Sequence, residues 1–416
     1  MSLLEFIERY NRGWVRIGDL YEVTRKLRGL DLSSLERIPF APMDAIPQGG
    51  VYAPSFISKA PSAITSGTYF ERGDVLVAKI TPSFENGKQA LIVDLPAPFG
   101  YATTEVIPLR PRASGQDRRL LFFYLLHPDI RHYVAERMEG TTGRQRVPES
   151  VLLDLAFPVI EPVEQTAIAD ALELIQRAST AEALCEEKVR ALKRAAMRTL
   201  FTSGLRGEPQ KETEIGPVPE SWTPTPCEAI FRLTSGKTRP NDLEPVPSLE
   251  KPYPVLGGNG VMGYSESWNV DAPATMIIGR VGEYCGAVHL ASGKVWITDN
   301  ALYAREWLLP NARLGFVGKF LEHYDLNRFK RMAGQPLVTQ GMINEHSIPL
   351  PQPDEQDEIV AILDAIDRKI GLHKKKRAVL DELFKSLLHR LMTGEIRVDD
   401  LDLSALDVSK VAEAAA

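Results

Sequence analysis

The sequence predicts an α+β protein. Two β-rich globular heads are joined by two long helices that pair antiparallel within the chain as a coiled coil, giving a pseudo-two-fold repeat. Three observations carry this reading. A block of about 60 residues occurs twice, at 141–205 and 332–396, offset by 191 residues. Each copy holds a long run with helical apolar spacing. The segments outside the copies, about 1–150 and 215–335, carry short β-type runs punctuated by Gly, Pro and Asn.

In chain order, the first head opens on Gly13-Trp14-Val-Arg-Ile-Gly-Asp-Leu20, a cue similar to Ser221-Trp222-Thr-Pro-Thr-Pro-Cys-Glu-Ala-Ile230 ahead of the second head. Its strand candidates are 74–80 and 90–93. The first repeat copy follows. Pro162-Val-Glu164-Gln165, then Ile168 and Leu172, matches Pro353-Asp-Glu355-Gln356, then Ile359 and Leu363. Proline at the first helical position opens a helix, and acids in the first turn complement its dipole. The match extends back through Pro158/Pro349 and Gly143/Gly334. The Gly/Pro-rich stretch 203–221 reads as a boundary. The second head offers strands at 274–278, 286–290 and 295–298. The linear division is therefore head one (1–150), helical spacer one (151–205), head two (206–340), helical spacer two (341–396) and an acidic, Ala-rich tail (397–416).

The second helix repeats Ile359, Leu363, Ile366, Ile370, His373, Arg377, Leu380, Phe384, Leu387 and Leu391 at 4-3 spacing, a coiled-coil seam. Residues 355–391 would span roughly 55 Å at about 1.5 Å per residue. The first helix keeps apolar ends (Ile168, Leu172, Ile175; Val189, Leu192, Ala196, Leu200) around a polar middle of Ser179, Glu182 and Glu186. Neither seam can be buried alone, and each is the obvious partner of the other. An antiparallel pair brings the midpoints together and sets His373 and Arg377 against Glu182 and Glu186.

The 416 residues allow two or three domains. Hydrophobic residues make up 44% and charged residues 25%, an ordinary globular balance. No apolar run reaches the ~20 residues of a membrane span. The N-terminal stretch has acids inside its apolar part and lacks a basic leader, unlike a signal peptide. Cys185, Cys227 and Cys285 are widely separated, so a reducing cytoplasm is the expected setting. Net charge is −6, of which residues 395–416 carry −4. A near-neutral body can still present a basic face.

Several stretches together resemble the specificity subunit of type I restriction–modification systems. They are the two Pro-x-Glu-Gln helix starts, Glu214-Ile-Gly-Pro-Val-Pro-Glu-Ser-Trp222, Phe70-Glu-Arg-Gly-Asp74 through Lys79 to Glu85-Asn86-Gly87-Lys88, Gly257-Gly-Asn259-Gly260-Val-Met-Gly263, Ile277-Ile-Gly-Arg280-Val-Gly282 and Trp296-Ile-Thr-Asp-Asn300. The resemblance covers nearly the whole chain. It implies two target-recognition domains, each reading a few base pairs of double-stranded DNA in successive major grooves, with the helix pair as the ruler; one turn of DNA is ~34–36 Å. Because the heads differ, the target would be bipartite and asymmetric. The resemblance further implies docking of two methyltransferase subunits on the helices, with motor–nuclease subunits joining that core. S-adenosylmethionine, ATP and magnesium would then belong to the partners, and this chain would hold no cofactor or metal and perform no catalysis. The alternatives are the specificity subunit of a related system that cuts on both sides of its site, and an adaptor that uses the helix pair as a scaffold without binding DNA.

The residues agree with a non-catalytic subunit. An adenine methyltransferase loop of the type (Asn/Asp)-Pro-Pro-(Tyr/Phe) is absent from the sequence. Gly258–Gly263 fits G-x-G-x-x-G but runs on without a clear helix. Ser235-Gly-Lys-Thr238 lacks the first P-loop glycine, Phe231 standing there. Pro353-Asp354 with Asp367 and Lys369 fits a loose nuclease pattern, yet lies along one helix. The seven histidines show no metal-type spacing. For DNA contact the candidates are Arg144, Gln145 and Arg146 ending head one, Gln335 ending head two, Lys79, Asn86 and Lys88 around a glycine loop, and Asn259, Arg280 and Asn300. Arg and Lys match guanine edges, Asn and Gln match adenine. The competing readings are turn formers for the asparagines and an internal ion pair for Arg280. The helix-pair and partner candidates are Glu164, Gln165, Ile168, Leu172, Glu355, Gln356, Ile359 and Leu363. Lys374–Arg377 is either a solvated face or a phosphate or methyltransferase contact.

Overall fold

The computed structural model describes residues 13–48, 54–141, 143–333 and 335–406. The chain packs as two compact units. One combines the residues up to Cys185 with those from His373, and the other is Glu186–Leu372. The cut falls inside both long helices, Pro162–Ser203 and Pro353–Thr393. Contacts therefore group the chain differently from its linear division, because each half-helix packs on a head.

In the first unit, Trp14–Arg16 pairs antiparallel with Ala156–Pro158. One four-stranded sheet runs Tyr21–Val23, Val106–Pro111, Val75–Ala78, Gln89–Leu91. A second runs Ile57–Lys59, Ile38–Ala41, Phe99–Ala102, Thr68–Glu71, with the middle two strands parallel. The expected strands at 74–80 and 90–93 are Val75–Ala78 and Gln89–Leu91. The helix Arg118–Tyr124 buries Leu120 through Tyr124 without a break. Its core is continuous with Ile168, Leu172 and Ile175 of the first long helix and Leu387, Leu388 and Leu391 of the second. Contacts such as Ser179–Asp381, at 2.7 Å, and Glu182–His373, at 2.5 Å, fall in one residue number as the other rises, so the half-helices run antiparallel. The first of the expected central charge pairs, Glu182 with His373, is formed and buried. Arg377 instead lies nearest Asp381, one turn on along its own helix.

In the second unit, Thr223–Pro226 pairs antiparallel with Ser347–Leu350. A six-stranded sheet runs Phe231–Ser235, Ala301–Trp307, Val270–Gly279, Val288–Ile297, Tyr253–Gly257, Gly260–Ser265. The runs expected as separate strands at 286–290 and 295–298 belong to the single strand Val288–Ile297. Gly293 sits within it at φ +72, opposite a register shift between Ala272 and Thr275. Gly293 therefore marks an irregularity within one long strand and not a break between two. The core joins Phe316, Val317, Phe320 and Leu321 of the helix Leu314–Tyr324 to Met197, Leu200 and Phe201, and to Ile359 and Leu363. Here too the half-helices are antiparallel, from Lys193–Asp367 at 2.9 Å to Arg206–Glu358 at 2.7 Å. Leu192, expected in the seam, is 57% exposed. Next to it Lys193 binds Asp367 and Glu322, so that turn is fastened by charge. The 203–221 stretch is itself folded, as the hairpin Gln210–Thr213 with Gly216–Pro219.

The two units repeat one plan. The strand pairs 14–16/156–158 and 223–226/347–350 correspond, as do the short helices Ile17–Leu20 and Cys227–Ile230, and Glu149–Leu153 and Gln340–Asn344. Trp14 faces Pro158, and its counterpart facing Pro349 is Pro224. The two tryptophan cues are therefore two residues out of register. Trp14 is half exposed, whereas Trp222 is fully buried and its Nε1 donates to Glu355. Both long helices stop at a left-handed glycine, Gly204 at φ +60 and Gly394 at φ +75. After Gly394, Ile396, Val398, Leu401 and Leu406 pack on the first unit's core, so the acidic tail is partly folded. Residues 407–416 lie outside the described residues, as do Gly334, Thr142 and the N-terminal stretch discussed above.

The same side chain ties each head to its helices. Gln165 Oε1 accepts from the backbone N–H of Asp117, the cap of the helix Arg118–Tyr124, at 3.0 Å. Its Nε2 donates to the Ile160 carbonyl at 2.8 Å. Gln356 Oε1 accepts from the N–H of Arg313, the cap of Leu314–Tyr324, at 2.7 Å, and its Nε2 donates to Pro351 and Asn311 at 2.9 and 3.0 Å. Both amides are buried. Removing one strands a buried carbonyl, at about 1–3 kcal/mol, and leaves the partly buried partners to water. The variant Gln356→Ala should lower the stability of the second unit by about 2–3 kcal/mol. Urea unfolding followed by tryptophan fluorescence checks this, because four of the five tryptophans lie in that unit.

Candidate nucleic-acid interface

In head one, the hairpin Glu139–Thr141 with Arg144–Arg146 docks on the loop that leaves strand Val75–Ala78. Thr81 N–H donates to the Gln145 carbonyl at 3.0 Å and Val147 N–H to the Lys79 carbonyl at 2.8 Å. This gathers Lys79, Arg144, Gln145 and Arg146 around Glu105. The Arg146 guanidinium forks onto that carboxylate at 2.8 and 2.7 Å. The hydrogen bond from Arg146 holds Glu105 below the usual carboxylate range, and the charges of Lys79 and Arg144 add to it. Arg146 is thus ion-paired to Glu105 at the surface of the head, and both it and Arg144 are exposed. Lys88 is also engaged: it is half-buried, and its Nζ donates to the Met43 carbonyl at 2.9 Å. Asn86 is exposed and lines a separate concavity of about 750 Å³, with Arg131, Gln176, Ser179 and Arg377.

Head two repeats the docking with other residues. Gly282 N–H donates to the Pro336 carbonyl and Val338 N–H to the Arg280 carbonyl, both at 2.9 Å. Arg280 therefore occupies the place of Lys79. Its N–H donates to the Asn300 carbonyl at 2.9 Å, and its Nη1 to Ser235 Oγ at 3.2 Å. The ion pair weighed for it is not among its contacts with described residues. Asn259, at the tip of the hairpin 253–265, and Asn300 are both exposed and line one concavity of about 520 Å³. The other lining is glycine backbone (Gly257, Gly258, Gly260, Gly282) together with Val261, Met262, Val281, Tyr284 and one acid, Glu283. The structure thus brings the Asn259, Arg280 and Asn300 segments together. Gln335 falls on the strand Gln335–Leu337, and its side chain lies outside the described residues.

Seven of the eight residues proposed for the helices or a partner are buried inside their own unit. Gln165, Ile168, Leu172, Gln356, Ile359 and Leu363 build the joint, and Glu355 binds Leu205 N–H at 2.7 Å as well as Trp222. Glu164 is half-buried. These positions make the helix joint, so an outside partner would use other faces. Lys374–Arg377 is exposed, with Lys376 3.5 Å from Glu182.

Some residues were missed. Glu105 organises the head-one cluster, yet its sequence context carries no signal. Lys237 was set aside within the P-loop-like run. That run is a strand end, where a Cβ on Gly236 would lie 2.3 Å from the Ile297 and Thr298 carbonyls. The Lys237 carbonyl accepts from Asp299 N–H at 2.9 Å, which places this exposed lysine beside Asn300. The apolar rim of Val261, Met262 and Tyr284 was missed because donors alone were sought. The histidines show no metal-type spacing in sequence, although one pair meets in the fold. His127, Asp129 and His389 converge, with ligand atoms within 4.8 Å of one another. His127 and His389 are 262 residues apart, so no spacing motif could reveal them. Of the other motifs, Gly260–Ser265 is a strand and not a helix start, and Asp354 and Asp367 share one helix. Asp367 is half-buried, which raises its carboxyl, but hydrogen bonds from Lys319 and Lys193 outweigh this and hold it low. The three cysteines are free, and no helix among the described residues is long and apolar enough to cross a membrane.

The floor of the head-two concavity depends on Gly279. A Cβ there would lie 2.4 Å from the Tyr284 carbonyl and 2.8 Å from that of Gly258. Gly279→Ala should cost the second unit about 1–3 kcal/mol, as overpacking does. A lowered melting temperature of the full chain checks this.

Residues 219–382 match the family model described as the type I restriction modification DNA specificity domain. The chain assigned as the type I restriction enzyme MjaX specificity subunit in Methanocaldococcus jannaschii is 25% identical over 362 residues, 78% of this chain and 79% of that one. The type I restriction enzyme EcoAI specificity subunit of Escherichia coli is 30% identical over 159 residues, 37% of this chain and 26% of its own length. The crystal structure of the type I restriction–modification system S subunit from M. genitalium matches in fold, with a TM-score of 0.58 at 16% identity over 94% of this chain and 99% of that one. On these grounds the chain is similar to type I restriction–modification specificity subunits, and residues 219–382 match that family's DNA specificity domain.

Proposed function

We propose that this chain is the sequence-reading subunit of a type I restriction–modification complex and that each head reads one block of a split, asymmetric DNA target. The observation that carries this is the pairing of like frames with unlike linings. Lys79 and Arg280 occupy equivalent positions, but the first stands among Arg144, Gln145 and Arg146, and the second beside Asn300, near Asn259 and Lys237. One scaffold with two sets of donors suits two different half-sites, since base edges are told apart by donor pattern. In this reading methyltransferase subunits dock on exposed faces of the helices, and motor–nuclease subunits join through them. Catalysis, S-adenosylmethionine, ATP and magnesium belong to those partners, and the complex works in the cytoplasm. The net charge of −6 does not oppose this, because the acidic tail carries most of it.

Long-read mapping of adenine methylation tests the proposal. A host carrying this gene and its methyltransferase partner is compared with one lacking this gene. The expected result is a motif of two short blocks around a fixed gap, present only with the gene. Unchanged methylation in a demonstrably assembled complex would favour the adaptor reading. A partner nuclease that cuts on both sides of the mapped site would favour the related two-sided system.

A further inference from the structure

We propose that two matched loops, Lys26-Leu27-Arg28 in head one and Lys237-Thr238-Arg239 in head two, grip the phosphate backbone of the DNA while the residues beside them read its bases. This inference rests on the DNA-reading proposal and adds a second set of residues to it. The sequence carries the pattern Lys-x-Arg-x-x-Asp at both places, Lys26 to Asp31 and Lys237 to Asp242, offset by 211 residues. The heads otherwise have little sequence in common, so the match needs a common cause.

The fold puts the two loops in equivalent places. In head one the strand Tyr21–Val23 runs antiparallel to Val106–Pro111, with Val23 opposite Leu109 and Thr24 N–H donating to the Pro108 carbonyl at 2.9 Å. The chain therefore leaves that sheet at the Glu105 end. In head two the strand Phe231–Ser235 runs antiparallel to Ala301–Trp307, with Ser235 opposite Leu302, and leaves at the Asn300 end. Glu105 and Asn300 are themselves equivalent, because their carbonyls accept from Lys79 N–H and Arg280 N–H, each at 2.9 Å. The residue that opens each loop also ties it to the reading segment. Arg25 pairs with Glu149, three residues beyond Arg146, and Ser235 Oγ accepts from Arg280 Nη1 at 3.2 Å.

The charges of the loops face solvent. Lys26, Arg28, Lys237 and Arg239 are all exposed. The acid that ends each pattern is engaged elsewhere: Asp31 accepts from Ser33 N–H at 2.9 Å, and Asp242 accepts from Lys251 Nζ at 2.5 Å. Each loop thus offers two cations beside the residues that line a candidate reading surface. Phosphate contacts fix register and carry no sequence information, whereas base contacts carry it. A phosphate grip should therefore repeat in both heads, and a reading surface should differ between them. That is the division observed: Lys-x-Arg is shared, and the linings around Lys79 and Arg280 are not.

The test uses the assembled complex with its methyltransferase partner. Binding is measured across about 50–200 mM salt, to a duplex carrying the mapped target and to one with both blocks scrambled. The variants are Lys26→Gln with Arg28→Gln, and Lys237→Gln with Arg239→Gln. Each phosphate contact contributes about 0.9 to the slope of log affinity against log salt on B-DNA. Each variant should therefore lower that slope by about 2 and weaken both duplexes by a similar factor, roughly 10 or more near 0.1 M salt. The methylated motif should stay unchanged. The charge-keeping exchange Lys26→Arg with Arg28→Lys should keep the wild-type slope, which separates a contact made by charge from a fault in folding. An unchanged slope and affinity in either Gln variant would overturn the proposal. A change in one block of the motif would overturn it too, because the loop would then be reading bases. A wild-type complex that binds both duplexes alike and yields no split motif would sink the DNA-reading proposal, while the slopes would still decide whether the loops grip phosphate.

Discussion

Everything in this fold hangs on one buried amide used twice. A glutamine in the first turn of each long helix accepts the cap N–H of a head helix and donates to the carbonyl of the strand exit just before its own helix. Three elements meet at that side chain, where the bond to the strand-exit carbonyl is buried and the bond from the head-helix cap is partly buried. An unmade bond there costs more than a made one gains, so the amide fixes geometry more than it adds stability. Around it the apolar seam supplies the bulk of the burial. Arg119 with Asp170 and Glu173, and Lys319 with Asp364 and Asp367, add polar ties between head helix and long helix in their respective units.

The joint explains how two heads with little sequence in common can share one plan. The residues that fix the frame lie in the repeated blocks and at the head's own helix cap. The loops that line the candidate surfaces lie outside them. Lys79 and Arg280 are held by the same two backbone hydrogen bonds, so their backbones are equivalent while their neighbours differ freely. A chain built this way can change what one head reads without disturbing the joint, which is what a recognition subunit requires. The halves are not identical: Glu355 is buried and binds both Leu205 and Trp222, whereas Glu164 is half-buried.

Much of the frame was legible because helices write their period into the sequence. The Pro-x-Glu-Gln starts, the seam from Ile359 to Leu391 and the antiparallel pairing of Glu182 with His373 all follow from spacing and charge. What escaped was set by long-range contact. Lys79 and Arg280 are offset by 201 residues and not 191, because the intervening loops differ in length. Trp14 and Trp222 look alike in sequence but sit two positions apart in the strand register. Leu192 fits the apolar period, yet it is exposed beside a turn fastened by Lys193. Within the candidate site, residue type pointed to the right loops, but only the fold shows that Arg146 and Lys88 are already bonded to groups of their own head.

The central claim is that each head reads DNA as a separate unit on a common frame. The most direct measurement exchanges residues 231–338 for the corresponding segment of a specificity subunit with a different target, keeping Gln356 and both long helices, and maps adenine methylation in the resulting host. The account predicts that one block of the split motif changes while the other block stays as it was. A change in both blocks, or a motif that is no longer split, would contradict it.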